Sequence, residues 1–234
     1  MVNAPSFANG KSLLIQVRTT IRHDYSYINS GAVKVGDDVF EVDSWGQHAL
    51  NGIDAPSVLE EEGIAGYPIY HSVRSDGKQH KFDIVVDSQQ NITLATFKDL
   101  VSVKIVGGTK KDFGDSNGIM GSFDGIILMR DGTPLLDIDD SQQANAFGQE
   151  WQVLEEEPML FRKVRSPQAP KEKCLLPSDV TKESRHVRRR LEEQTISKEA
   201  AEMACGHFSG GKFDACVFDV IAVGDLDIAQ AGAY

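Results

Sequence analysis

Apolar and polar residues alternate with period two in short runs over the first half of the chain. Across residues 12–20, Leu13, Ile15 and Val17 fall on one side and Gln16, Arg18 and Thr20 on the other, the pattern of a half-buried strand. Similar short strands are predicted at 25–28, 32–35 and 39–42, with Gly36-Asp37-Asp38 as a hairpin-type connection. Residues 1–9 read as irregular. Residues 44–66 are mixed, with a turn at Asn51-Gly52 and an exposed acidic loop at Glu60-Glu61-Glu62-Gly63. Strand signals resume at 69–74, 80–86, 92–97 and 100–106, separated by Ser75-Asp76-Gly77-Lys78 and Ser88-Gln89-Gln90. Two more are predicted at 126–129 and 134–136. Many short strands between turn residues, with no alternation of strand and helix, predict a mainly β, antiparallel sandwich-like sheet structure.

The period then changes. Residues 163–179 carry Pro167, Pro170 and Pro177 among mixed charges and read as a linker. A helical stripe follows at 181–194 through Val187 and Leu191. Ser197 is placed to cap a helix over 198–208. Phe213, Cys216, Val217, Val220 and Ile221 are spaced as one face of an amphipathic helix, with Gly224 as its terminating glycine and Asp225 as the cap of a last short helix. The expected organisation is a β domain over 1–162, a linker over 163–179 and a small helical, cysteine-containing module over 180–234.

Charge sharpens this division. The net charge is −11, and residues 1–162 hold 13 Lys and Arg against 24 Asp and Glu, whereas 163–234 are balanced. An acidic β domain repels nucleic acid and anionic membranes, which argues against a nucleic-acid partner. No run of apolar residues is long enough to span a bilayer. The three cysteines, Cys174, Cys205 and Cys216, all lie in the C-terminal part without metal-ligand spacing. Either they are buried thiols, or two are joined and one pairs outside this chain; the residues alone leave the pairing open.

Three segments in order carry a family resemblance. Gly118-Ile119-Met120-Gly121-Ser122-Phe123-Asp124-Gly125 is similar to a Gly-Leu-Cys-Gly-Asn-Phe-Asp-Gly turn. Phe147-Gly148-Gln149-Glu150-Trp151-Gln152-Val153 is similar to a closing Phe-Gly-x-x-Trp-x-Val strand. Cys205 through Phe213-Asp214-Ala215-Cys216-Val217 and Gly224-Asp225 resembles a following helical cysteine module. With the strands at Val17-Arg18-Thr19-Thr20 and Ala32-Val33-Lys34-Val35-Gly36-Asp37, the chain resembles a von Willebrand factor type D domain in its cysteine-poor version. Met120 stands where the family has cysteine, and Ser122 where it has asparagine. Residues 1–20 resemble the family sequence after its first strand, so the resemblance implies a domain that begins upstream of Met1.

That resemblance implies an extracellular or cell-surface module of adhesion or matrix assembly, with other extracellular proteins or further domains of the same protein as partners. It implies calcium at Asp124 and Asp131, with Asn117 as a third oxygen donor, since calcium takes six to eight hard oxygens. The plainer role of Asp124 and Asp131 is to cap turn backbone. Asp137, Asp139 and Asp140 read as a solvated acidic loop. Asn91-Ile92-Thr93 is a glycosylation sequon, relevant to a secreted protein. The basic run 185–190 reads as a solvated helix face. The histidines His23, His48, His71, His80, His186 and His207 show no metalloprotease spacing, and no nucleophile-elbow motif is present. Trp45 and Trp151 read as core or sheet-face aromatics. The expected function is non-catalytic. The alternative is an accessory or glycan-binding β domain of a secreted carbohydrate-active or proteolytic enzyme, with Asp137 or Glu150 as candidate carboxylates.

Overall fold

The computed structural model describes residues 1–22, 25–54, 59–98, 100–135, 141–164 and 196–231. Two compact units divide the chain: Met1–Arg18 with Ile28–Pro167, and Thr19–Tyr27 with Gln168–Tyr234. The helix expected over 181–194, the basic run 185–190, the acidic loop 137–140 and Cys174 lie outside the described residues.

Among the described residues, eleven antiparallel strands form two sheets, so the chain is mainly β. The strands are β1 (Val2–Ala4), β2 (Leu13–Arg22), β3 (Tyr25–Val35), β4 (Asp38–Asp43), β5 (His48–Leu50), β6 (Ile53–Asp54), β7 (Ile69–Val73), β8 (His80–Val85), β9 (Asn91–Phe97), β10 (Leu100–Val106) and β11 (Asn117–Gly118). The larger sheet runs β11-β1-β2-β3-β4-β5-β6, and the smaller β10-β9-β8-β7. Two-residue connections at Gly36-Asp37 and Asn51-Gly52 set the β3–β4 and β5–β6 registers, with Val35 opposite Asp38 and Leu50 opposite Ile53. Gly36, Asn51 and Gly52 take positive φ there, as tight hairpin turns require.

Strict alternation places the core. Leu13, Ile15, Val33, Val35, Phe40, Val42 and Leu50 of the large sheet meet Ile69, Phe82, Ile84, Ile92 and Leu94 of the small one in a single buried cluster. The sheets approach closely at Gly31, where an added Cβ would lie 2.9 Å from the Leu94 side chain. The β domain therefore has a sandwich core and no cysteine.

The outer face of the large sheet is covered by residues 158–164. Gln16 on β2 donates to the Pro158 carbonyl (2.9 Å) and accepts from the Leu160 amide (3.0 Å). Glu41 on β4, 1% exposed, accepts from the amides of Arg162, Lys163 and Val164 at 3.0–3.2 Å. Arg18 donates to the Val164 carbonyl (2.7 Å) and lies over the Phe161 ring. Leu160, Phe161 and Val164 close a second apolar cluster with Ala32 and Val39. Lys163 and Val164, expected to open a linker, thus belong to this strap.

Four local expectations are corrected. Val2–Ala4, read as irregular, is a strand, paired with β2 and β11. The strands expected at 25–28 and 32–35 are one continuous strand, because Asn29, Ser30 and Gly31 keep the extended ladder. Of those expected at 126–129 and 134–136, the described residues form one bridge, between Leu128 and Pro134. The segment 147–153, read as a closing strand, instead begins as the end of a helix, Ser141–Glu150, and continues as a turn. No β-branched residue occurs in that helix, and its Gln and Ala residues are acceptable helix formers.

In the second unit, Ser197 caps helix Lys198–Ala204 through the Ala200 amide. Helix Gly211–Val223 ends at Gly224 in the left-handed conformation (φ 71°). Asp225 caps the 3-10 helix Leu226–Gln230 through the Asp227 amide. Ala201, Val217, Val220, Val223 and Ile228 are buried, and Cys205 is joined to Cys216 with Cα atoms 5.9 Å apart.

Replacing Glu41 with Gln leaves one oxygen to accept from three amides and turns an N–H₂ toward them. Urea denaturation should show a loss of about 2–4 kcal/mol, the scale for breaking a buried charge-assisted set. Limited proteolysis should cut first near residues 158–164.

Candidate functional site

The structure places the sequence-predicted residues in separate local settings. Asn117 lies on β11; its amide oxygen accepts from the Gly118 amide (2.9 Å), and its Nδ2 faces the Met129 carbonyl (3.4 Å). Asp124 sits exposed in the turn closed by the Gly125 amide on the Ser122 carbonyl. Asp131 sits at the tip of the 128–134 hairpin, where its carboxylate accepts from the Thr133 amide (2.8 Å). Those Thr133 bonds hold the Asp131 carboxyl below the usual carboxylate range. The Asn91 side chain of the sequon donates to Asp83 (3.3 Å) and to Thr93 (3.1 Å), beside the Lys81–Asp83 ion pair. Met120 is 72% exposed, with Ile119, Phe123 and Ile126 also exposed around the same turn.

Trp151 and Glu150 belong to a support. Trp151 is buried and donates to the Leu128 carbonyl (3.2 Å). Arg130 lies over its ring and donates to the carbonyls of Glu150 and Gln152 and to Glu157. The Arg130 guanidinium holds the Glu157 carboxyl below its ordinary range. Trp45, by contrast, is 68% exposed on the β4–β5 turn.

Beside Trp45, the two sheets bring together three histidines that sequence spacing did not single out. His48 on β5 lies opposite Val42, His71 on β7 opposite Phe82, and His80 on β8 opposite Val73. The His71 ring is parallel to Phe82 at 4.3 Å, and His48 packs on both at 5.2 and 4.8 Å. His71 Nε2 and His80 Nδ1 are 3.0 Å apart, with ring centroids 5.3 Å apart and planes within 13°. The nitrogen–nitrogen line therefore runs nearly along the line joining the rings, as in an in-line N–H···N bond. One ring carries the proton and the other the lone pair. His48 Nδ1 donates to the Gly46 carbonyl (2.9 Å). Among the described residues no three His, Cys, Asp or Glu side chains are arranged to hold a metal ion.

The turn beneath this cluster is tightly made. Asp43 Oδ1 accepts from the amides of Trp45 and Gln47, each at 2.9 Å. Gly46 has φ +80°, and an added Cβ would fall on the His80 ring. Burial, then the neighbouring His48 and His80, push His71 down to about 4 from an ordinary 6.5. His80 is lowered by burial and His48, with Asp43 opposing.

The chain matches no family model and no curated protein. The histidines were missed because they are 23 and 9 positions apart and follow no motif. A signal was nonetheless present in strand parity. His48 shares phase with Leu50, His71 with Ile69, and His80 with Phe82 and Ile84, so each stands where an apolar core residue is expected.

The unfolded chain protonates His71 and His80 near 6.5, whereas in the folded chain both resist protonation, His71 down to about 4. The unfolded state then binds more protons between these limits. Stability is full above 6.5 and falls as pH drops through this window. Thermal melts should show this decline, and His71→Phe should flatten it. Gly46→Ala should cost about 1–3 kcal/mol by thermal or urea denaturation, from the positive φ and displacement of His80.

Proposed function

We propose that the chain is a non-catalytic interaction module of a larger extracellular or cell-surface protein, with a β domain of the von Willebrand factor type D kind followed in sequence by a helical cysteine module. The observation that carries this reading is the Cys205–Cys216 disulfide. Disulfides persist in oxidising compartments and are uncommon in the cytosol. The third cysteine, Cys174, is then left for a partner outside this chain, either another protein or another domain of the same one. The exposed Ile119, Met120, Phe123 and Ile126 on the 118–126 turn supply apolar contact area of the sort that partner surfaces use. No helix among the described residues is long and apolar enough to cross a membrane.

A second reading, a glycan-binding β domain, is favoured by Trp45, whose ring is exposed on a locked turn as sugar-stacking aromatics are. Titration with soluble oligosaccharides should then quench its fluorescence, and Trp45→Ala should abolish that binding.

Mass measurement of the full chain, purified without reductant, tests the leading reading. The expected result is an intact Cys205–Cys216 bond and a covalent dimer or mixed disulfide through Cys174, which Cys174→Ser removes. Three free thiols on a monomer would sink it. The bond closes 11 residues of separation, so its loss in Cys216→Ser should cost about 3 kcal/mol on the chain-entropy model.

A further inference from the structure

We propose that His48, His71 and His80 form an acid-released clasp between the two sheets: neutral rings hold β5 and the 43–47 turn against β7 and β8, and a second proton in the cluster frees that turn with Trp45 on it. This goes beyond the interaction-module reading and does not rest on it.

Proton bookkeeping in the cluster gives the clasp its threshold. The in-line His71–His80 bond needs one donor and one acceptor. A single added proton preserves it, because an imidazolium can donate to a neutral ring. A second leaves two N–H groups facing each other at the distance of a hydrogen bond, with no acceptor between them. His48, in ring contact with His71, faces the same charge. Release is therefore expected to be steeper than the titration of one independent histidine.

The surroundings do little to compensate the charge. From the turn, the Asp43 carboxylate faces the cluster and favours charge on His80, but burial and the neighbouring His48 outweigh it; its Oδ1 accepts from Trp45 and Gln47. From β4 and β8 come the phenyl rings of Phe40 and Phe82. From β9, the Thr96 hydroxyl accepts from the His80 amide. On the β7–β8 turn, Arg74 and Asp76 are paired with each other, and Arg74 lies over Phe97. On β6, Asp54 is paired with Lys163.

The attachment that would open is thin. β5 meets β4 over three residue pairs and β6 over two, at the end of the large sheet. Elements held by few backbone bonds open locally at a cost well below global unfolding. The clasp is thus seated on a short stretch of ladder.

Tryptophan emission of the full chain, followed from neutral pH down to about 4 alongside far-UV circular dichroism, tests the proposal. The expected result is an emission change with its midpoint between 6.5 and about 4, at unchanged secondary structure. It should vanish in Trp45→Phe, which locates it, and in His71→Phe, which stacks on Phe82 but neither titrates nor donates. His80→Gln serves as a second non-titrating variant if the first fails to fold. An NMR titration of the wild-type imidazoles needs no variant and should show His71 and His80 titrating together and low. Independent titrations of His71 and His80 near 6.5 would overturn the clasp. So would an emission change that coincides with global unfolding, or one that persists in a folded non-titrating variant.

Discussion

A carboxylate taken out of water is tolerated only where donors surround it, and Glu41 is placed so that the chain must supply them. The seven-stranded sheet needs cover on both faces. Its inner face is met by the four-stranded sheet. Its outer face carries Ala32 and Val39, which need apolar cover, beside Gln16 and Glu41, which need hydrogen bonds. Residues 158–164 answer both needs at once: Leu160, Phe161 and Val164 fill the apolar positions, and three successive amides converge on one carboxylate. Breaking one side leaves the other unsatisfied, which is why the strap is specified in both position and register.

The histidine cluster follows the same logic with a different outcome. At the β5 end of the sandwich, imidazoles occupy positions that elsewhere hold Leu, Ile or Phe. Neutral rings behave there as aromatics, stacked with Phe82 and bonded to one another. Protonation converts the same contacts into repulsion, and the low-dielectric surroundings enlarge the effect. Glu41 is fixed by amides that do not titrate. The histidines are fixed by one another, so their bond depends on pH. The buried Glu41 set locks the fold, and the half-buried histidine set makes part of it conditional.

Much of the strand layout was legible because a period of two leaves little choice. β2, β4 and β7–β10 fall close to their expected spans, and the turns at Gly36-Asp37, Asn51-Gly52 and 75–78 hold where expected. The local caps Ser197, Gly224 and Asp225 were equally plain, since each acts within a few residues of itself. The segment around Phe147 misled, because the strand was read from its resemblance to a family motif, while Phe147 and Trp151, four positions apart, share a side in either a strand or a helix. The turn residues Asp124 and Asp131 were visible as chemistry, but their spacing did not show that they occupy two separate turns. Three cysteines left the pairing open, and the packing of two helices placed Cys205 against Cys216.

By itself, then, the sequence determined the class of fold, the strand phases, the caps and the uneven charge. All of these depend on neighbours within a few residues, where backbone geometry fixes which side chains share a face. The tertiary structure decided which strands face each other across the core, that residues 158–164 lie over Gln16 and Glu41, and that His48, His71 and His80 meet. Those contacts join positions from 9 to more than a hundred residues apart, and no local period encodes them. They form because burying the two sheet faces leaves a few polar groups that only distant parts of the same chain can satisfy.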